Sequence, residues 1–249
     1  EFDSLCASDE SYFFLMSLKL LTFVKSYCFN NSSIGSLKNV KFPTSNVRQN
    51  DFHLRNFVTT TRSEMAQKTA LFIVAEGSEE LELVAPVDIL RRANVIVTIA
   101  DLADCEYVKT KSNIFIKTDA KLGEVKDITY DAVVIPGGPS YKTLAAASVI
   151  GEILCKHEKA GKIIAAICAA PFVLFKHGIA KGKSLTSYPS VKNDIEGSYQ
   201  YKEDTTVVDG NLVTSRGPAT AVEFGLSLVE VLLGNEEKVK VAKAILYPL

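Results

Sequence analysis

Three observations predict an α/β fold with a mostly parallel central sheet between two helical layers. Short continuous apolar runs recur along the chain, among them Thr69–Ala75, Asp131–Ile135 and Lys162–Ile167, as in strands buried on both faces. Stretches of helical periodicity alternate with these runs. Several runs end abruptly in turn-forming or small residues, as strands do where a parallel sheet opens to a ligand.

The elements follow in order. Thr69–Ala75 is the first strand, and Glu79–Arg92 is a helix with Leu81, Val84 and Ile89 expected inward. Arg91 and Arg92 close it where the helix dipole favours cations. Asn94–Ala100 is the second strand, and the alternation in Asn113–Lys117 suits an edge strand or hairpin arm. Asp131–Ile135 is a strand ended by Pro136-Gly137-Gly138-Pro139, and Ser148–Lys159 is a helix. Lys162–Ile167 runs straight into Cys168, followed by a helix over Ala169–Lys176 that closes near His177-Gly178. Asn211–Ser215 is a late strand, and the helix Ala219–Leu233 stops at Gly234-Asn235.

Composition removes several function classes. The 249 residues carry a formal net charge of −1, which argues against a nucleic-acid binder working by bulk electrostatics. No apolar run approaches the ~18 residues of a membrane span. Five cysteines (Cys6, Cys28, Cys105, Cys155, Cys168) include no CxxC, and three histidines (His53, His157, His177) share no ligand spacing. No metal and no cofactor is expected, since no GxGxxG follows any strand either. A reducing compartment is the default.

Residues 1–67 are different material. From Met16 to Asn50 there is no Asp or Glu, while Lys19, Lys25, Lys38, Lys41 and Arg48 stand among Ser, Asn and Thr. That is the composition of a mitochondrial presequence, with a simple disordered tail as the rival reading. Residues 1–15 read as sequence upstream of a start at Met16. A second start at Met65 would give a cytoplasmic pool. Residues 68–249 then form one α/β domain, long enough to bury a core.

Three segments fall at strand ends: Glu76–Glu82, Pro136-Gly137-Gly138, and Ala166–Pro171. Cys168 sits where strand becomes helix, like a nucleophile elbow, which exposes the sulfur to backbone N–H groups and favours the thiolate. The alternative is a small buried hydrophobe. Gly137 and Gly138 let backbone approach a ligand and can present N–H donors, or they form an ordinary turn. Helical spacing from Ser78 can turn Glu82 toward the sheet end, though an ordinary solvated helix Glu fits as well. No histidine is placed as a base. His157 lies away from the predicted strand ends, and His177 closes the helix after Cys168.

These segments together resemble the Parkinson disease protein 7 family, within the ThiJ/PfpI superfamily. The matching stretches are residues 75–82, 86–92, 134–138, 165–171 and 214–218, in family order. The resemblance implies a flavodoxin-like three-layer sandwich and a homodimer. It implies an oxidation-prone cysteine at Cys168, hydrogen-bonded to Glu82, with backbone donors at Gly138 and Ala169. Gly137, Tyr188, Arg216 and Pro218 would support the pocket. The implied activity is glutathione-independent conversion of methylglyoxal to lactate, with deglycation of early glycation adducts and protection against oxidative stress.

The chain departs from the family at Tyr188, where many members carry His, and a phenol is a poor base at neutral pH. Lys117 replaces an edge-strand Cys, and Ala219 follows Gly217-Pro218 in place of a Gly. Two hypotheses follow. One is a cofactor-free enzyme acting on small 2-oxoaldehydes or glycated substrates. The other is a redox sensor or redox-activated chaperone working through oxidation of Cys168.

Overall fold

The computed structural model describes residues 66–248. The expected presequence and both candidate starts lie outside them. The elements are β1 (Thr69–Val74), α1 (Glu80–Arg92), β2 (Ile96–Asp101), β3 (Tyr107–Lys109), β4 (Phe115–Lys117), β5 (Ala120–Lys121), α2 (Leu122–Val125), β6 (Ala132–Ile135), α3 (Tyr141–Ala146), α4 (Ser148–Lys159), β7 (Ile163–Ile167) and α5 (Pro171–Lys176). The chain continues through β8 (Ser184–Leu185), α6 (Lys192–Ile195), β9 (Gln200–Tyr201), β10 (Thr206–Asp209), β11 (Leu212–Ser215), α7 (Ala221–Leu233) and α8 (Asn235–Ala244).

Seven strands form the main sheet in the order β10-β11-β7-β6-β1-β2-β5. All neighbours pair in parallel except β10 with β11. Every residue of β6 is buried, as is all of β1 after Thr69, which is why these strands read as unbroken apolar runs. From β1 the chain crosses one way through α1 to β2. From β6 it crosses the other way through α3 and α4 to β7. Right-handed crossovers in opposite directions place the helices on opposite faces. Accordingly α1 packs on α7 and α7 on α8, while α3 packs on α4 and α5. The reversal falls between β1 and β6, where a ligand crevice forms at the strand carboxyl ends. The fold is therefore the expected flavodoxin-like three-layer sandwich.

Two expectations about helices need correction. Leu81 and Val84 do not face the core: they are 56% and 51% exposed. The buried stripe of α1 is Glu82, Leu83, Pro86, Val87, Ile89 and Leu90, spaced by three and four. Apolar character alone chose the wrong register, because a carboxylate occupies the inward face. The helix after Cys168 begins at Pro171, not Ala169, since residues 168–170 form a turn. Asn113–Lys117 resolves as a hairpin arm: β4 pairs antiparallel with β3.

Candidate active site

The strand β7 delivers Cys168 into a sharp turn with φ +63°, a conformation that strains any residue bearing a Cβ. Two backbone bonds hold it there. The Cys168 N–H donates to Ser215 O at 2.9 Å, and the Tyr188 N–H donates to Cys168 O at 2.7 Å. The elbow is thus clamped between the end of β11 and the segment entering Pro189. Cys168 is 9% exposed, so it has both the elbow geometry and much of the burial of a core cysteine.

Glu82 lies against it, wholly buried in the first turn of α1. Its Oε2 accepts the Gly137 N–H at 2.8 Å. The Oε1 atom has no partner of regular hydrogen-bond geometry. The thiol nonetheless lies near enough for each group to shift the other. Burial raises the Glu82 carboxyl to about 7, against the opposing pull of the Cys168 and Gly137 donors.

The thiol is not a low-pKa one, contrary to expectation. Burial first, then the charge of Glu82 and the thiol's hydrogen bond to it, pushes Cys168 up to about 12. The N–H groups of Gly138 and Ala169 pull the other way without prevailing. The helix dipole invoked from sequence is weak here, because α5 is six residues long and starts three residues downstream.

Both glycines are required, for different reasons. A Cβ at 137 would lie 2.7 Å from Cys168 Cβ and 2.7 Å from Glu82 Oε2, so only hydrogen fits between nucleophile and acid. Gly138 has φ +86°, and a Cβ there would meet Gly77 O at 2.5 Å. Ser140 Oγ donates to Gly137 O at 3.2 Å and Ser78 Oγ to Ser140 Oγ at 3.1 Å, which fixes the turn from below.

The remaining residues line the rim. Tyr188, Pro189, Arg216, Gly217, Pro218, Ala219 and Thr220 enclose a groove of about 310 Å³. It adjoins the elbow through the backbone bonds of Tyr188 and Ser215. Tyr188 is 45% exposed. Arg216 pairs with the Glu203 carboxylate and donates to Glu203 O at 2.9 Å, so its charge is already matched. His157 is buried away from the site. It accepts the Tyr130 N–H on Nε2 at 3.0 Å, so Nδ1 carries the proton and donates to Ile153 O at 2.7 Å. Residue-by-residue reading missed Glu79 and Lys111, which pair at 3.1 Å beside Glu82. The signal for Glu79 was its place at the start of α1, three residues before Glu82.

An α/β protein with a strained cysteine elbow, a buried carboxylic acid and two facing N–H donors is defined by these features. Residues 68–231 match the DJ-1/PfpI family, and the chain belongs to it. It is 49% identical over 181 residues to the Drosophila melanogaster protein dj-1beta, spanning 72% of this chain and 97% of that one. It is 41% identical over 174 residues to the Caenorhabditis elegans glutathione-independent glyoxalase DJR-1.2, spanning 69% of this chain and 92% of that one. The crystal structure of Drosophila melanogaster DJ-1beta superposes with a TM-score of 0.72 at 47% identity, covering 74% of this chain and all of that one. The oxidized Toxoplasma gondii DJ-1 gives 0.70 at 36% identity, covering 73% of this chain and all of that one.

Proposed function

We propose that the protein is a cofactor-free, cysteine-dependent glyoxalase and deglycase, acting on methylglyoxal-type 2-oxoaldehydes and early glycation adducts. The observation that carries it is the buried Glu82 carboxyl beside the strained Cys168 elbow. Between about pH 7 and about 12 the pair holds one proton. With the proton on sulfur, the carboxylate opposes thiolate formation. With the proton on Glu82, that opposition disappears and the Gly138 and Ala169 N–H groups hold the thiolate. The second tautomer is the nucleophile.

The thiolate adds to the aldehyde carbon, and the oxygen takes up a proton to give a hemithioacetal. Glu82 removes the proton from that carbon and returns one to the neighbouring carbon, giving a lactoyl thioester. Water then cleaves the C–S bond, releasing lactate and regenerating the thiol. The Gly138 and Ala169 donors stabilise the oxyanions. Support also comes from the glyoxalase name of the Caenorhabditis elegans relative. The test is lactate formation from methylglyoxal without glutathione, beside Cys168→Ser. Cys168-dependent turnover bears the reading out; turnover retained in Cys168→Ser sinks it.

A second reading is a redox sensor or redox-activated chaperone. The free Oε1 of Glu82 favours it, since a protonated carboxyl could donate to a cysteine sulfinate. If Glu82→Gln and wild type reach the same oxidised species at the same peroxide dose, that stabilisation is excluded. We further propose a homodimer, supported by exposed Leu81, Val84 and Phe115. We also propose a mitochondrial pool, supported by the acid-free basic stretch from Met16 to Asn50, with a cytoplasmic pool from Met65. Replacing Lys19, Lys25 and Arg48 with Glu should abolish import.

A further inference from the structure

The β3–β4 hairpin lies outside the main sheet, yet its turn is fastened to the start of α1. The Gly77 N–H donates to Lys109 O at 2.8 Å, and the Lys111 N–H donates to Ser78 O at 3.0 Å. The Ser112 N–H reaches Glu80 Oε2 at 3.4 Å. This docking presents the Lys111 ammonium to Glu79 Oε2 at 3.1 Å.

Glu79 is only 6% exposed, and a carboxylate so placed needs a partner. Its N–H donates to Gly137 O at 3.0 Å, while the Gly137 N–H donates to Glu82. Lys111 holds the Glu79 side chain, the Glu79 backbone N–H holds Gly137 O, and the Gly137 N–H holds Glu82, so three successive contacts tie the hairpin turn to the residue beside Cys168. The charged groups facing Glu82 are Glu79 from the start of α1, Lys111 from the hairpin turn and Cys168 from the elbow. Glu80 acts on Lys111. Glu79 strengthens the hold of Glu82 on its proton, and Lys111 weakens it.

We propose that Lys111 is a positioning residue for the cysteine centre. It fixes the buried Glu79 carboxylate at 3.1 Å and places a positive charge beside Glu82, favouring the charged form of the Glu82–Cys168 pair. The inference rests on the reading of Cys168 as a reactive thiol. Without Lys111, the buried Glu79 carboxylate beside Glu82 would lose its paired ammonium.

The test is the pH profile of Cys168 alkylation by iodoacetamide in the full chain, read by mass spectrometry on the Cys168 peptide. Thermal unfolding is followed alongside. Lys111→Met is expected to displace the profile upward by about half a pH unit, slowing alkylation at pH 8 about threefold. Lys111→Arg should restore it, and Glu79→Gln should displace it downward. An unmoved profile in Lys111→Met overturns the proposal, whether or not the variant loses thermal stability. So does a displacement that Lys111→Arg fails to correct. Should Lys111→Met not fold, an unmoved Glu79→Gln profile overturns it equally. Wild-type protein that lacks methylglyoxal turnover while the profile still moves would sink the enzymatic reading and leave this one standing.

Discussion

Glu82 accepts the Gly137 N–H at 2.8 Å through Oε2, while its Oε1 is left without a regular hydrogen-bond partner in a wholly buried position. The carboxyl therefore has one anchored oxygen and one free to exchange a proton with Cys168. Glu82→Gln keeps an acceptor for Gly137 and removes the charge. Its two effects should have opposite signs. Alkylation of Cys168 at pH 8 should quicken about tenfold, because the charge that resists the thiolate is gone. Turnover should fall at least about a hundredfold, because the proton carrier is gone. If alkylation slows together with turnover, Glu82 activates the thiol as a simple base and the shared-proton account is wrong.

The same carboxyl should leave a mark on stability. Its folded pKa is raised to about 7 from 4.5 by burial, so the folded state binds more protons than the unfolded state between those values. Its contribution is fully present below about pH 4.5 and is lost as pH rises through about 7. The loss is of the order of 3 kcal/mol by pH 8. Unfolding of wild type and Glu82→Gln from pH 5 to 9 checks this. The variant should gain on wild type as pH rises, and a constant difference would refute the linkage.

Much of the sheet was legible because β1, β6 and β7 are buried on both faces and read as bare apolar runs. Cys168 was legible because the strand runs into it without a spacer. Glu82 was only half legible, since spacing could orient it but no sequence pattern reports burial. The inward face of α1 was misread for the same reason: Glu82 is buried, while Leu81 and Val84 are exposed. The raised pKa of Cys168 was also hidden. Local sequence shows the donor at Ala169 but not the carboxylate brought to the thiol from 86 residues upstream.

Tyr188 stands on the groove rim, at the position where the family resemblance implies His. Its backbone N–H, not its side chain, holds the elbow. Tyr188→His should therefore leave the melting temperature within about 1 °C, because the ring is 45% exposed. An added imidazole near the site should raise kcat/KM about tenfold. No gain in a folded variant would mean that this chain's chemistry runs without a base at that position.

Gly138 combines φ +86° with the close approach to Gly77 O. Gly138→Ala should cost about 2–4 kcal/mol, the sum of left-handed strain and a forced backbone shift. Urea unfolding measures it. The donor facing Cys168 moves with the backbone, so turnover should fall even at temperatures where the variant is folded. A loss below about 1 kcal/mol would show that the turn relaxes freely.

Leu81 and Val84 share one face of α1, and Ile114 and Phe115 stand 50% and 66% exposed on the hairpin. The Ser112 N–H contact to Glu80 brings the hairpin turn beside the start of that helix. Four large apolar side chains in adjoining elements are costly to leave in water and suit a covered interface. A twofold dimer would bury each of them twice. At about 1.5–3 kcal/mol per buried side chain, replacing Leu81 and Val84 with Glu should raise the dimer Kd by far more than a hundredfold. Sedimentation equilibrium at micromolar concentration should then show a dimer for wild type and a folded monomer for Leu81→Glu with Val84→Glu. A wild-type monomer would overturn the dimer proposal, and a double variant that still dimerises would place the interface elsewhere.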